Sequence, residues 1–149
     1  LSVIVPETPP AEFAPLSWEQ AREMDSLGVE IGSHTVTHPV LTHSSASRLS
    51  RELGESRSRL EAVLGRRVDL FCYPNGDYDR GVRKEVARAG YRCAVTTEAG
   101  LNDGRSDPLA LKRIHTERDL AHFAQATSGL EQLKEKLRRA VPRAASAHS

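Results

Sequence analysis

The segment Ser33-His34-Thr35-Val36-Thr37-His38-Pro39 holds the residue types and spacing best suited to chemistry in this 149-residue chain. Two imidazoles four residues apart lie on the same side of a single turn and can reach one metal ion. Neutral imidazole is a good zinc ligand at about 2.0–2.1 Å. The β-branched run Thr35, Val36, Thr37 argues against a long helix, and Pro39 ends the turn. The helical His-Glu-x-x-His of metalloproteases is not met, because Thr35 stands where its glutamate would be. A second segment, Phe71-Cys72-Tyr73-Pro74-Asn75-Gly76-Asp77-Tyr78-Asp79, runs an apolar strand into a Gly-containing turn. Such a turn projects an aromatic ring, which suits a sugar face, and free backbone amides, which can stabilise an oxyanion. The third is Arg113-Ile114-His115, at the end of an apolar stretch. Each has a plainer reading: surface histidines in a polar loop, a strand-to-helix turn in which Asp79 caps the next helix, and a structural histidine.

The elements that must position these residues follow from apolar periodicity. Leu1 to Val5 is a β-branched run ended by Pro6 and reads as a buried strand. Ser17 and Gln20 form a capping box, so Trp18 to Leu27 is a predicted helix with Gly28 as its stop. Val29 to Gly32 is a brief predicted strand leading into the histidine segment. From Ser47 to Leu64, Leu49, Leu53, Leu60, Val63 and Leu64 share one helical face, and Gly65 closes it. Its Arg residues, interleaved with Glu52, Glu55 and Glu61, read as a solvated face. Val68 to Cys72, Tyr91 to Thr96 and Leu111 to His115 are further strands, with a helix from Arg80 to Ala89. Leu120 to Ala140 reads as a helix in two pieces broken near Ser128 and Gly129. Strand and helix alternate about every 20 residues, which is the pattern of parallel βαβ units. Five strands make an open sheet or part of a barrel; a complete eight-fold barrel needs roughly 250 residues. The expectation is one domain over residues 1–141 and a disordered polar tail over 142–149.

Composition narrows the class. Apolar residues make up 38% and charged residues 28%, which excludes disordered and collagen-like chains. With 21 Lys plus Arg against 20 Asp plus Glu, there is no electrostatic reason to expect nucleic acid as partner. No apolar run approaches the roughly 20 residues of a membrane span. Cys72 and Cys93 are too few for a disulfide scaffold and read as buried thiols on neighbouring strands.

Taken in this order and spacing, the three segments resemble the polysaccharide deacetylase family, also described as chitooligosaccharide deacetylase-like, as the NodB homology domain and as carbohydrate esterase family four. The resemblance runs from about Trp18 to Phe123. It includes Trp18-Glu19-Gln20, Gly28-Val29-Glu30-Ile31-Gly32-Ser33-His34-Thr35, Ser56-Arg57 and Ala89-Gly90-Tyr91. It implies an α/β fold, a partial and distorted (β/α) barrel lacking its first strand-helix unit. It also implies a metal-dependent hydrolase that removes N-acetyl or O-acetyl groups from a carbohydrate polymer or oligomer. The implied cofactor is a divalent metal, usually zinc, held by His34, His38 and one aspartate. The resemblance places Tyr73 and Pro74 in the substrate groove, with the Tyr73 amide in the oxyanion hole. It makes His115 the candidate general acid, or Arg113 the functional residue there, orienting a carboxylate. The family's Phe-Asp-Asp-like run, source of the third ligand and the catalytic base, has no counterpart before His34 and is expected upstream of Leu1. Two other readings stand beside the first: a truncated remnant that no longer hydrolyses, and an amidohydrolase of a small non-sugar amide. A barrel without its first unit exposes a strand edge at Leu1 to Val5, so marginal stability or self-association is expected.

Overall fold

In the computed structural model, residues 14–114 and 120–129 are described. The predicted strand at Leu1 to Val5, His115, the second piece of the last helix and the tail at 142–149 lie outside them.

Helix α1 spans Trp18–Ser26 and starts where the capping box requires: the Ser17 hydroxyl accepts from the Gln20 amide at 3.2 Å, and the Gln20 side chain accepts from the Ser17 amide at 2.8 Å. Helix α2 spans Ala46–Leu64; Ser45 caps its start and Gly65, left-handed at φ 68°, ends it. Strand β1 is Leu70–Cys72, helix α3 is Arg80–Arg88, and strands β2 and β3 are Cys93–Ala99 and Leu111–Arg113. Helix α4, Leu120–Thr127, stops just before the predicted break. Strands β1, β2 and β3 form a parallel sheet in that order, with Phe71 opposite Ala94 and Val95 opposite Leu111. Among the described residues the sheet is open, so the architecture is a partial α/β fold and no closed barrel.

The core lies on one face of this sheet. Phe71 of β1 and Ala94 of β2 face Leu49 and Leu53 of α2 and Val82 and Val86 of α3, all buried. Tyr91, expected to begin a strand, instead precedes β2 and packs into that core, donating its hydroxyl to the Leu53 carbonyl at 2.9 Å. Arg57 ties three elements together: its guanidinium donates to Glu61 at 3.0 Å, to the Val68 carbonyl at 3.1 Å and to the Ala89 carbonyl at 2.5 Å. Cys72 and Cys93 are half-buried free thiols rather than sealed ones, because they sit in a register that pairs Cys93 with Leu70, on the face away from the helices.

The predicted strand at Val29 to Gly32 does not form. Only Ser33 pairs, bridging to Phe71 in parallel: its amide donates to the Leu70 carbonyl at 2.9 Å and its carbonyl accepts from the Cys72 amide at 2.8 Å. Val29 is exposed, and there is no partner strand for its backbone among the described residues. The chain closes on β1 only at Gly32, where a Cβ would meet the Leu70 Cβ at 3.1 Å and the Leu70 carbonyl oxygen at 3.2 Å. Glycine is what lets the backbone come this near.

Leu53 is fully buried between α2, β1 and α3. Leu53→Ala is expected to lower unfolding stability by about 2–5 kcal/mol. Urea unfolding checks this, and a loss below about 1 kcal/mol would mean that the helices do not pack on the sheet as described.

Candidate active site

Ser33 is the anchor of the histidine segment. It is buried, its backbone is bonded to β1 on both sides, and its hydroxyl lies 2.8 Å from the Ser56 hydroxyl of α2. His34 therefore emerges from the carboxyl edge of the sheet at a fixed point. Its Nδ1 is 2.7 Å from the Cys72 carbonyl oxygen. A carbonyl only accepts, so Nδ1 carries a proton, and in the neutral ring Nε2 is then the nitrogen left for an electrophile. The His38 ring stands edge-on to that of His34, with centroids 4.8 Å apart and planes at 76°. Both side chains are exposed to solvent. The pair is thus open and close, with the His34 Nδ1 committed to the Cys72 carbonyl.

The backbone that brings the rings together is strained. Thr35 at φ 69° and His38 at φ 53° are left-handed, and for a β-branched residue that region is a genuine outlier. Such conformations cost on the order of 1–3 kcal/mol each and persist only when their surroundings impose them. Here the Thr35 hydroxyl accepts from the His38 amide at 3.0 Å, closing the turn from inside. Glu52 of α2 closes it from below. One carboxylate oxygen accepts the amides of Val36 and Thr37 at 2.8 and 2.9 Å, and the other accepts the Thr37 hydroxyl at 2.5 Å. Glu52 is 1% exposed, so its reading as part of a solvated face is corrected. The signal was present in the sequence: Leu49, Glu52, Leu53 and Ser56 are spaced i, i+3, i+4, i+7, which puts the carboxylate on the buried stripe, where it needs partners. Burial pushes the Glu52 carboxyl up. The Thr37 hydroxyl, the Thr37 and Val36 amides and the charge of Arg48 outweigh it and hold the group below its ordinary value of 4.5.

The Tyr73-Pro74 turn is arranged otherwise than expected. Tyr73 is 1% exposed; its hydroxyl donates to the Leu109 carbonyl at 2.8 Å and its amide to the Val95 carbonyl at 3.1 Å. Its ring stands edge-on to Phe71 and stacks on Tyr78. Burial pushes the phenol pKa well up, far from any acid or base role near neutrality. Pro74 is likewise fully buried. Among the described residues both are sealed from solvent, and the Tyr73 amide is taken by the Val95 carbonyl. The reason is strand alternation: with Phe71 facing the core, Tyr73 two residues on must face it too. Pro74 has no N–H, and the Gly76 and Asp77 amides return to the Tyr73 and Pro74 carbonyls. Between Pro74 and Asp77 that leaves the amide of Asn75, an exposed left-handed residue at φ 58°, without a backbone partner among the described residues.

Asp79 caps α3, accepting from the Val82 amide at 2.8 Å. Among the described residues no three His, Cys, Asp or Glu side chains gather closely enough to hold a metal. Arg113 is exposed at the end of β3, on the same carboxyl edge as His34. It stands three strand positions from Ser33, about 14 Å at the usual strand spacing. His115 lies outside the described residues.

An open parallel sheet that presents a histidine pair at its carboxyl edge places the candidate site where α/β enzymes carry theirs. Residues 7–94 match the model of one family, polysaccharide deacetylase, and the chain belongs to that family. Protein YxkH of Bacillus subtilis (strain 168) is 29% identical over 99 residues, 66% of this chain and 36% of that protein. The structure of Streptococcus pyogenes deacetylase PplD in complex with acetate superposes with a TM-score of 0.72 at 28% identity, covering 78% of this chain and 52% of that one. Polysaccharide deacetylase BC0361 from Bacillus cereus gives 0.68 at 29% identity, over 78% and 38%. The chain thus spans between about a third and about half the length of these relatives. Among the described residues no helix is long and apolar enough to cross a membrane.

Because the folded-state pKa of Glu52 is depressed, its stabilising contribution is complete above pH 4.5 and is lost as pH falls through the lower folded value. The Val36 and Thr37 amide resonances, followed by NMR on acidification, are expected to shift with a midpoint below 4.5. A midpoint above it would show that burial prevails over the three hydrogen bonds.

Proposed function

We propose that this chain carries the histidine half of a metal-dependent deacetylase centre, and that the protein removes N-acetyl or O-acetyl groups from a carbohydrate polymer or oligomer. The observation that carries this reading is the His34–His38 pair, 4.8 Å between ring centroids with His34 Nδ1 committed to the Cys72 carbonyl. Membership of the polysaccharide deacetylase family and similarity to a deacetylase structure containing acetate support it.

The donor set fits a divalent ion in part: His34 and His38 would hold it, and zinc suits two neutral imidazoles best. When bound, such an ion supplies Lewis acidity toward an acyl carbonyl and lowers the pKa of water. The chain's own groups do the rest. As water adds to the acetyl carbon it gives its proton to a carboxylate base from outside the described residues, and the carbonyl oxygen that gains negative charge can accept from the exposed Asn75 amide. The carbon–nitrogen bond then breaks, and the departing sugar nitrogen takes a proton from a general acid, the role proposed for His115. Arg113, exposed on the same edge, is positioned to meet the substrate farther along the sheet. Acetate and a free amino sugar result; an O-acetyl substrate leaves a hydroxyl instead.

The described residues offer two imidazoles, whereas catalytic zinc normally has three ligands from protein plus water. A carboxylate from outside the described residues would complete the set.

Calorimetric titration with Zn2+ is expected to show weak 1:1 binding that His34→Ala and His38→Ala each abolish. Acetate release from chitin and peptidoglycan oligomers, with small amides run in parallel, tests the substrate class. Release from small amides alone would move the assignment to a non-sugar amidohydrolase. Zn2+ binding that survives both substitutions would refute the histidine site.

A further inference from the structure

The loop bearing both imidazoles has no regular secondary structure of its own, yet it holds two left-handed non-glycine residues, Thr35 and His38, on either side of a short link. Between them lies the Val36–Thr37 pair, whose two amides and one hydroxyl all converge on a single carboxylate from α2. That carboxylate is 1% exposed and sits on the stripe of α2 that packs into the core. We propose that Glu52 is a positioning residue for the His34–His38 pair. By gripping the peptide between the two ligands it imposes the left-handed turns that set the rings side by side.

The proposal rests on the reading of His34 and His38 as a metal-holding pair, and the geometry assigns the work between them. His34 is fixed from its own strand side, through Ser33 and the Cys72 carbonyl. His38 has no comparable anchor of its ring to the sheet among the described contacts; its backbone is held by the Thr35 hydroxyl and, through Thr37, by Glu52. Glu52 therefore governs the position of His38 relative to a stationary His34. Groups that orient metal ligands without touching the metal typically change affinity 10–100-fold when removed.

Substitutions separate this role from simple packing. In Glu52→Gln one side-chain oxygen can still accept both amides, while the amide nitrogen donates to the Thr37 hydroxyl oxygen, so the grip is kept without the charge. In Glu52→Met the shape is kept and the acceptors are lost. Thr37→Val removes only the hydroxyl contact at an exposed position. The experiment follows the His34 and His38 ring resonances of the full chain during titration with Zn2+ alone, together with amide exchange of Val36 and Thr37 without metal. Wild type and Glu52→Gln are expected to agree within about threefold in affinity. Glu52→Met is expected to weaken binding at least tenfold and release both amides, and Thr37→Val to weaken binding severalfold. If Glu52→Met fails to fold, Thr37→Val decides, and unchanged affinity there overturns the proposal. Unchanged affinity and exchange in a folded Glu52→Met overturn it directly. If wild type takes up no Zn2+, the metal reading fails separately. Positioning then stands or falls on whether Glu52→Met, but not Glu52→Gln, releases the two amides and moves the His38 ring resonances.

Discussion

The docking of a single residue, Ser33, onto strand β1 is the constraint from which the rest of the site follows. Its amide and carbonyl complete one parallel bridge with Leu70 and Cys72, and its hydroxyl reaches Ser56 on α2. The residue is buried, so these polar groups are costly to leave unpaired and the bridge is correspondingly well defined. One step later the chain leaves the sheet, and the first group it presents is the His34 ring. The carbonyl that fixes this ring belongs to Cys72, the last residue of β1. The same strand thus holds the loop and sets the imidazole tautomer.

Past His34 the constraint changes character. A short loop with two left-handed residues does not hold its shape by intrinsic preference, and water can satisfy its exposed amides in many other shapes. What selects one is an ionised carboxylate placed on the core-facing stripe of α2. Burial alone would raise the free energy of that charge, but three donors from the loop more than offset it. Carboxylate and loop each remove the other's penalty. The side that carries the two imidazoles remains exposed while the supporting side is sealed, the division that keeps a site rigid yet reachable.

The aromatic turn after β1 serves the fold more than the substrate. Tyr73 fills space between Phe71 and Tyr78 and ties the end of β1 to the loop before β3 through Leu109. What it leaves for chemistry is the outer rim of the turn, where Asn75 is exposed.

Much of this was legible in the residues alone. The α1 capping box, the glycine stop after α2, the alternation of strand and helix, and the spacing of His34 and His38 are local properties, written in side-chain chemistry over a few positions. Alternation also carried the fate of Tyr73, since its distance of two from Phe71 puts both on one face, and the helical stripe carried the burial of Glu52. What no local pattern could decide was which partners these groups would meet. That Val29 to Gly32 forms no strand, that Ser33 pairs instead, and that a helix carboxylate finds loop amides 15 and 16 residues earlier in the chain depend on how α2 lies against the sheet. Periodicity fixes the face on which a side chain lies. The donor that waits there is fixed only when separate elements pack and their desolvated polar groups must find one another.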